Sequence, residues 1–225
     1  MFASIAAKYD CVNTVLSFGL DRFWRKKACG FFEKKPGMLV LDLCAGSGEL
    51  TFEIAKKVGS YGQVIGFDFV SEMLSIAEKK RKNKVAQLSV NFIRADAMNL
   101  PVNDGLADVV TIAFGIRNVD NVRNCLQEIK RVLKPAGKII VLEFGQVSAG
   151  GFSFVYKLYS KYWMPFIGGL ITGNKKAYEY LPKTAAEFPC GTKFLHLLEE
   201  LGFSKCYYKP LSGGIAYIYT GTTCQ

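Results

Sequence analysis

The chain has 225 residues, of which 50% are hydrophobic and 21% charged, a balance that excludes a disordered or low-complexity polypeptide and suffices for one well-packed domain. Its formal net charge of +10 favours anionic partners, nucleic acid or an acidic membrane surface, without choosing between them. Seven scattered cysteines outside any C-x-x-C spacing and a single histidine, His196, argue against a zinc site, a disulfide framework or Ser-His and Cys-His catalysis, and suit a reducing cytosol.

Residues 1–32 are amphipathic, with Tyr9, Asp10 and Asn13 in a first stretch and a helix predicted from Leu20 to Phe32. Helices ahead of a first strand either close a pocket as a lid or cover a sheet edge. The basic clusters Arg25-Lys26-Lys27 and Lys56-Lys57 read as solvated helix faces or ends. Lys34-Lys35-Pro36-Gly37 turns the chain into an apolar run, Leu39 to Leu43, which contains Asp42 and is followed by Gly46, Gly48 and a helical pattern through Phe52, Ile54, Ala55 and Val58. This is a strand, a tight turn and a helix, with backbone N–H groups gathered where the helix begins. A dinucleotide fingerprint needs a third glycine where Thr51 stands, and Asp42 beside the turn would repel a pyrophosphate. The pattern suits S-adenosylmethionine, which carries a sulfonium and an ammonium but no phosphate; a glycine turn with no ligand is the plain alternative.

A second strand is predicted from Gln63 to Asp68, and Asp68 falls 22 residues after Gly46, where a nucleotide fold places the carboxylate that accepts ribose hydroxyls. Ser71 is placed as the cap of the helix that follows. A third strand, Val90 to Ala97, runs out at Asp96, whose carboxylate, with the Ala97 backbone, suits the amino edge of adenine. The fourth strand, Ala107 to Phe114, leads into Gly115-Ile116-Arg117-Asn118-Val119; a helix from Val122 to Leu133 stops at Lys134-Pro135-Ala136-Gly137, and Lys138 to Phe144 is the fifth strand. Regular β-α alternation predicts an α/β doubly wound parallel sheet, with Asp42, Asp68, Asp96, Arg117 and Glu143 converging beyond the strands' carboxyl ends. Residues 150–171 interleave rings with lysines, as an apolar pocket lining or a lipid-facing surface would; a homodimer contact or plain core packing competes. His196 is an exposed position in a helix predicted from Lys193 to Leu201. Cys206 to Leu211 and Ile215 to Thr220, joined at Ser212-Gly213-Gly214, form a closing hairpin that adds one antiparallel strand. There is no signal-peptide pattern and no apolar run of about 20 residues to cross a bilayer.

Several segments together resemble the demethylmenaquinone and 2-polyprenyl-benzoquinol C-methyltransferases. They are Tyr9-Asp10-x-x-Asn13 with Leu16-Ser17-x-Gly19, Asp42 to Thr51, Phe114 to Val119, Arg131 to Pro135, Leu142-Glu143-Phe144, Tyr178-x-Tyr180-Leu181-Pro182 and Gly213-Gly214-Ile215-Ala216. The resemblance departs at Ser47-Gly48-Glu49, where Thr-Gly-Asp is commoner, and after Phe144, where a proline is usual. It implies a class I S-adenosylmethionine-dependent methyltransferase fold: a doubly wound, mostly parallel seven-stranded sheet with a C-terminal antiparallel hairpin and an N-terminal helical lid. It implies one domain over residues 1–225, with the lid over 1–35 and an aromatic insertion facing substrate or membrane over 145–190. The implied reaction is ring C-methylation of a polyprenylated quinol, demethylmenaquinol first, with a 2-polyprenyl-6-methoxy-benzoquinol or another small apolar substrate as alternatives. The implied cofactor positions are Thr51, Asp68, Asp96 and Ala97 with Gly46 and Gly48, flanked by Asp42, Ala45, Phe69 and Ala113. Arg117 and Asn118 are candidates to hold the ring oxygen, and Tyr9 and Asp10 to close the site; no metal and no nucleic acid is expected, and the protein is expected in the cytoplasm, at the inner face of the cell membrane when it meets its substrate.

Overall fold

The computed structural model describes residues 6–84, 88–147, 158–172 and 184–224. The expectations attached to Tyr178 through Pro182 and to residues 148–157 lie outside them. Two helices, α1 (Tyr9–Leu16) and α2 (Leu20–Cys29), precede β1 (Met38–Leu43), α3 (Glu49–Val58), β2 (Gly62–Asp68), α4 (Ser71–Lys84), β3 (Val90–Arg94) and β4 (Ala107–Ala113). Then come α5 (Val122–Val132), β5 (Leu133–Phe144), a π-helical turn (Tyr159–Trp163) that continues into α6 (Met164–Thr172), α7 (Thr192–Glu200), β6 (Ser204–Leu211) and β7 (Ala216–Thr222).

The strands form one seven-stranded sheet in the order β3-β2-β1-β4-β5-β7-β6. The chain steps outward from β1 to β3, then returns to pair β4 with β1, so the direction of winding reverses between β1 and β4 and leaves a crevice beyond their carboxyl ends. Alternation along β1 sends Leu41 and Leu43 to one apolar layer with Leu126, Ile129, Phe194 and Leu198, while Val40 belongs to the other with Phe52, Ile54, Val58 and Trp24. The sheet is thus covered on both faces, as its continuous apolar strands require.

The closing hairpin brings in two strands and, as expected, one of them runs antiparallel to the rest: β7 inserts between β5 and β6, antiparallel to both, so that β6 forms the edge. Burial decides the order: every residue of β7 from Ala216 to Gly221 is buried, whereas β6 is half-buried or exposed at every position before Leu211 and tolerates an edge.

Element ends also moved. The α2 helix stops at Cys29 because the Lys57 ammonium donates to the Cys29 and Phe32 carbonyls, and Lys138 donates to the Phe31 carbonyl at 3.0 Å. Lys57 is therefore a helix terminator in place of a solvated charge, with burial lowering its pKa. The fourth strand ends one residue early, with Phe114 at φ +55°, and the third at Arg94, after which Asp96 closes a turn onto Asn99. Leu133 leaves the helix and pairs with Ala107, making Lys134-Pro135-Ala136-Gly137 a bulge inside β5. Ser71 begins α4 instead of capping it, its hydroxyl donating to Glu72.

Two glycines carry specific loads. Gly48 enters α3 at φ +85°, and a Cβ there would stand 2.8 Å from the Phe92 ring. Gly115 lies against the glycine turn itself, its missing Cβ only 2.3 Å from the Cβ of Cys44. We expect Gly115→Ala to cost about 1–3 kcal/mol by overpacking, measured by urea denaturation. Because Cys44 sits at φ +51°, Cys44→Gly in that background should restore the midpoint; a double variant as unstable as the single would disprove the clash.

Candidate active site

The turn after β1 is built from backbone geometry that small residues permit. Cys44, Gly46 and Gly48 have φ +51°, +57° and +85°, and the Ala45 N–H donates to the Phe67 carbonyl at 2.9 Å. Asp68 ties this turn to the end of β2, one carboxylate oxygen accepting from Gly46 N–H and the other from Val70 N–H, each at 2.8 Å. Burial raises the Asp68 pKa. Asp42 is 1% exposed, and its two oxygens accept from the hydroxyls of Thr51 at 2.6 Å and Thr111 at 2.7 Å. Burial pushes its carboxyl up to about 6 against the opposing pull of those hydroxyls and of the Arg25 charge.

A cavity of about 340 Å³ opens over these strand ends. Asp42, Ala45, Gly46, Asp68 and Phe69 border it, as do Asp96, Ala97 and Ala113. Tyr9 and Asp10 reach it from α1, and Asn118 from the loop after β4. Three expected residues stand elsewhere. Thr51 is fully buried beneath the turn with its hydroxyl donated to Asp42, and Gly48 packs against Phe52 and Phe92; neither borders the cavity.

Arg117 is the larger departure. Its side chain is 4% exposed and outside the cavity lining, as is Glu143, so these two do not converge on the rim with the three aspartates. Its Nη1 donates to Glu143 at 2.6 Å and to the Phe114 carbonyl at 2.7 Å, its guanidinium lies 5.2 Å from the Phe144 ring centre, and its buried Nε has no acceptor among the described residues. Glu143 is fully buried, with a pKa raised by desolvation against the Arg117 charge. The pair anchors the loop that carries Asn118.

Asp10 latches α1 to the turn. One oxygen accepts from Ser47 Oγ and the other from Lys80 Nζ, both at 2.5 Å, and Lys80 also donates to Glu49 at 2.7 Å. Arg25 was not foreseen. Instead of a solvated charge it is a buried residue on the cavity wall, its Nη1 2.5 Å from Asp21 and its guanidinium over the Phe114 ring at 5.5 Å. The i,i+4 spacing of Asp21 and Arg25 was the one sequence signal that could have singled it out.

A profile of the ubiE/COQ5 methyltransferase family matches residues 1–223. The chain belongs to that family. It is 48% identical over 223 residues to a Bdellovibrio bacteriovorus protein named ubiquinone/menaquinone biosynthesis C-methyltransferase, covering 99% of this chain and 94% of the relative. It is 41% identical over 221 residues to the Thermus thermophilus demethylmenaquinone methyltransferase, covering 98% and 99%. Among solved structures, an S-adenosylmethionine-dependent methyltransferase from Aquifex aeolicus matches with a TM-score of 0.60 at 21% identity over 88% of each chain. One from Thermotoga maritima matches with a TM-score of 0.69 at 18% identity over 98% and 97%. These likenesses establish the class I methyltransferase fold.

The residues present fit S-adenosylmethionine. Nothing would meet a Cβ at Gly46 within 4 Å, so the turn leaves an open cradle. The cavity offers three carboxylate acceptors, Asp42, Asp68 and Asp96, and the first turn of α3 carries Glu49 where a phosphate would need to approach.

A raised carboxyl pKa means that the folded chain holds a proton which the unfolded chain has lost. The Asp42 contribution to stability is therefore greatest below its ordinary value of 3.8 and is lost as pH rises through about 6. Asp42→Asn should remove a decline on the order of 2–3 kcal/mol between about pH 4 and 6, read from urea denaturation at each pH. A slope unchanged from the parent protein would refute this. For Arg117→Ala we expect a loss of about 3–5 kcal/mol, because it strands the buried Glu143, with most of it regained when both residues become leucine. An unshifted denaturation midpoint in the single variant would rule out the anchoring role.

Proposed function

We propose that this chain methylates a ring carbon of a polyprenylated quinol with S-adenosylmethionine, converting demethylmenaquinol to menaquinol. The observation that carries the reading is the phosphate-averse cradle at the β1 turn, ringed by three carboxylates at successive strand ends, in a chain of this family. When bound, the cofactor supplies an electrophilic methyl group on a sulfonium. The quinol becomes nucleophilic at carbon when its hydroxyl gives up a proton, so the chain's task is to orient the ring, steady the oxygen and keep water out.

Asn118, on the loop after β4, and Tyr9, on α1, both border the cavity and are our candidates to steady that oxygen. Arg117, held by Glu143, acts through the loop it anchors and fixes the position of Asn118. Asp10 closes the lid through Ser47 and Lys80.

The substrate's tail belongs in a bilayer, and the lid offers a surface for one. Phe18 is 79% exposed and Leu170 77%, with Trp163 and Phe166 beside Leu170 on the same helical segment. The two parts are joined: the Phe18 and Tyr159 rings lie 5.8 Å apart, and Tyr159 donates its hydroxyl to the Leu16 carbonyl at 2.9 Å. No helix among the described residues is long and apolar enough to cross a membrane. We read this face, within the aromatic insertion and the lid, as a peripheral contact with an anionic surface, helped by the net charge of +10. A second copy of the chain is the competing occupant.

The decisive experiment supplies labelled S-adenosylmethionine with demethylmenaquinol and, in parallel, a 2-polyprenyl-6-methoxy-benzoquinol. Label should enter the first; incorporation into the benzoquinol alone would overturn the assignment. Flotation with anionic vesicles should recover the protein at low salt and lose it when Phe166 and Leu170 become aspartate. Full recovery of that variant would exclude this face.

A further inference from the structure

The cavity wall nearest Asp42 carries a second buried charge that the reaction described above does not use. Arg25 projects from α2, is 9% exposed and borders the same cavity as Asp42. A guanidinium has five N–H donors, and only Nη1 is engaged, by Asp21. Among the described residues Nε and Nη2 have no hydrogen-bond acceptor, and the Phe114 ring backs the plane of the group. Asp21 is itself held, accepting from Ser17 Oγ at 2.8 Å, while its N–H donates to the same oxygen at 3.3 Å. The lid helix thus grips one end of the guanidinium and leaves the rest on the wall of a cavity, where unengaged donors of a largely buried cation call for an anion.

The neighbouring charge indicates which anion. Asp42 and Arg25 are close enough for the arginine to pull the Asp42 carboxyl down. A single phosphate or carboxylate would satisfy Arg25 and be repelled by Asp42. A group carrying an ammonium and a carboxylate on one carbon satisfies both, and an α-amino acid is such a group. A planar carboxylate also matches the fork of a guanidinium.

We propose that Arg25 binds the α-carboxylate of S-adenosylmethionine while Asp42 faces its α-ammonium, so that lid helix α2 and strand β1 together recognise the amino-acid end of the cofactor. The assignment rests on the methyltransferase reading and adds a role for the lid: α2 becomes part of the cofactor site as well as its cover.

Calorimetric titration of the full chain with S-adenosylmethionine and with its decarboxylated analogue tests it without reference to turnover. The parent protein should prefer the carboxylated ligand by roughly ten- to hundredfold, the range of a hydrogen bond to a charged group. Removing the cation alone would strand Asp21, so the variant is Arg25→Met with Asp21→Asn. It should lose that factor for S-adenosylmethionine and leave affinity for the decarboxylated analogue nearly unchanged. Equal affinity of the parent protein for the two ligands overturns the proposal, whether or not the variant folds. An equal loss for both ligands, marking a structural role, also overturns it, as does unchanged affinity with lost turnover, which would put Arg25 on the quinol. If the parent protein binds neither ligand, the methyltransferase reading itself fails.

Discussion

Asp42 stands in the middle of the sheet without solvent, and its two oxygens are held by hydroxyls from different elements, Thr51 on α3 and Thr111 on β4. A buried carboxylate is costly unless its oxygens are satisfied, so this arrangement fixes where α3 begins relative to the winding reversal of the sheet. The glycine turn runs directly above it. Asp68 repeats the device one strand over, spending both oxygens on the backbone of the β1 and β2 loops. The cavity is therefore rimmed by anions whose positions were set before any ligand arrives, which is how a site gains preorganised charge.

The loop after β4 depends on the same turn by contact instead of charge. Gly115 presses on Cys44, so the first and fourth strand ends cannot move independently, and the Arg117–Glu143 pair clamps the loop from beneath. An ion pair this deep gains little over apolar packing but is severe to break, which makes it a means of fixing position more than a source of stability. Above the cavity, α1 and α2 close the site through Asp10 and Arg25, while the outer side of α1 and the aromatic helix remain exposed. The same two helices thereby line the cavity with Tyr9, Asp10 and Arg25 and leave Val15 and Phe18 exposed.

The strand-turn-helix around Gly46, the carboxylates at Asp42, Asp68 and Asp96 and the alternation of strands and helices along the chain were legible in the sequence, because each rests on local rules: apolar period, glycine placement and the spacing of acids. The motif Phe114 to Val119 was also visible, but not what it does. A sequence records that Arg117 is charged; it does not record that Glu143, 26 residues away, lies on the buried side of the same loop. Arg25 was misread for the same reason, since a basic run beside Lys26 and Lys27 looks solvated until Asp21 and Phe114 close around one member of it.

The sequence alone determined the fold class, the chemical character of the cofactor end and the family motifs, since these depend on residues close in the chain. Tertiary structure decided the rest: that β7 inserts between β5 and β6, that Thr51 supports the turn instead of bordering the cavity, and which of two arginines reaches it. These outcomes turn on competition for burial among segments distant in sequence, and a side chain's burial exists only once the segments that enclose it have met.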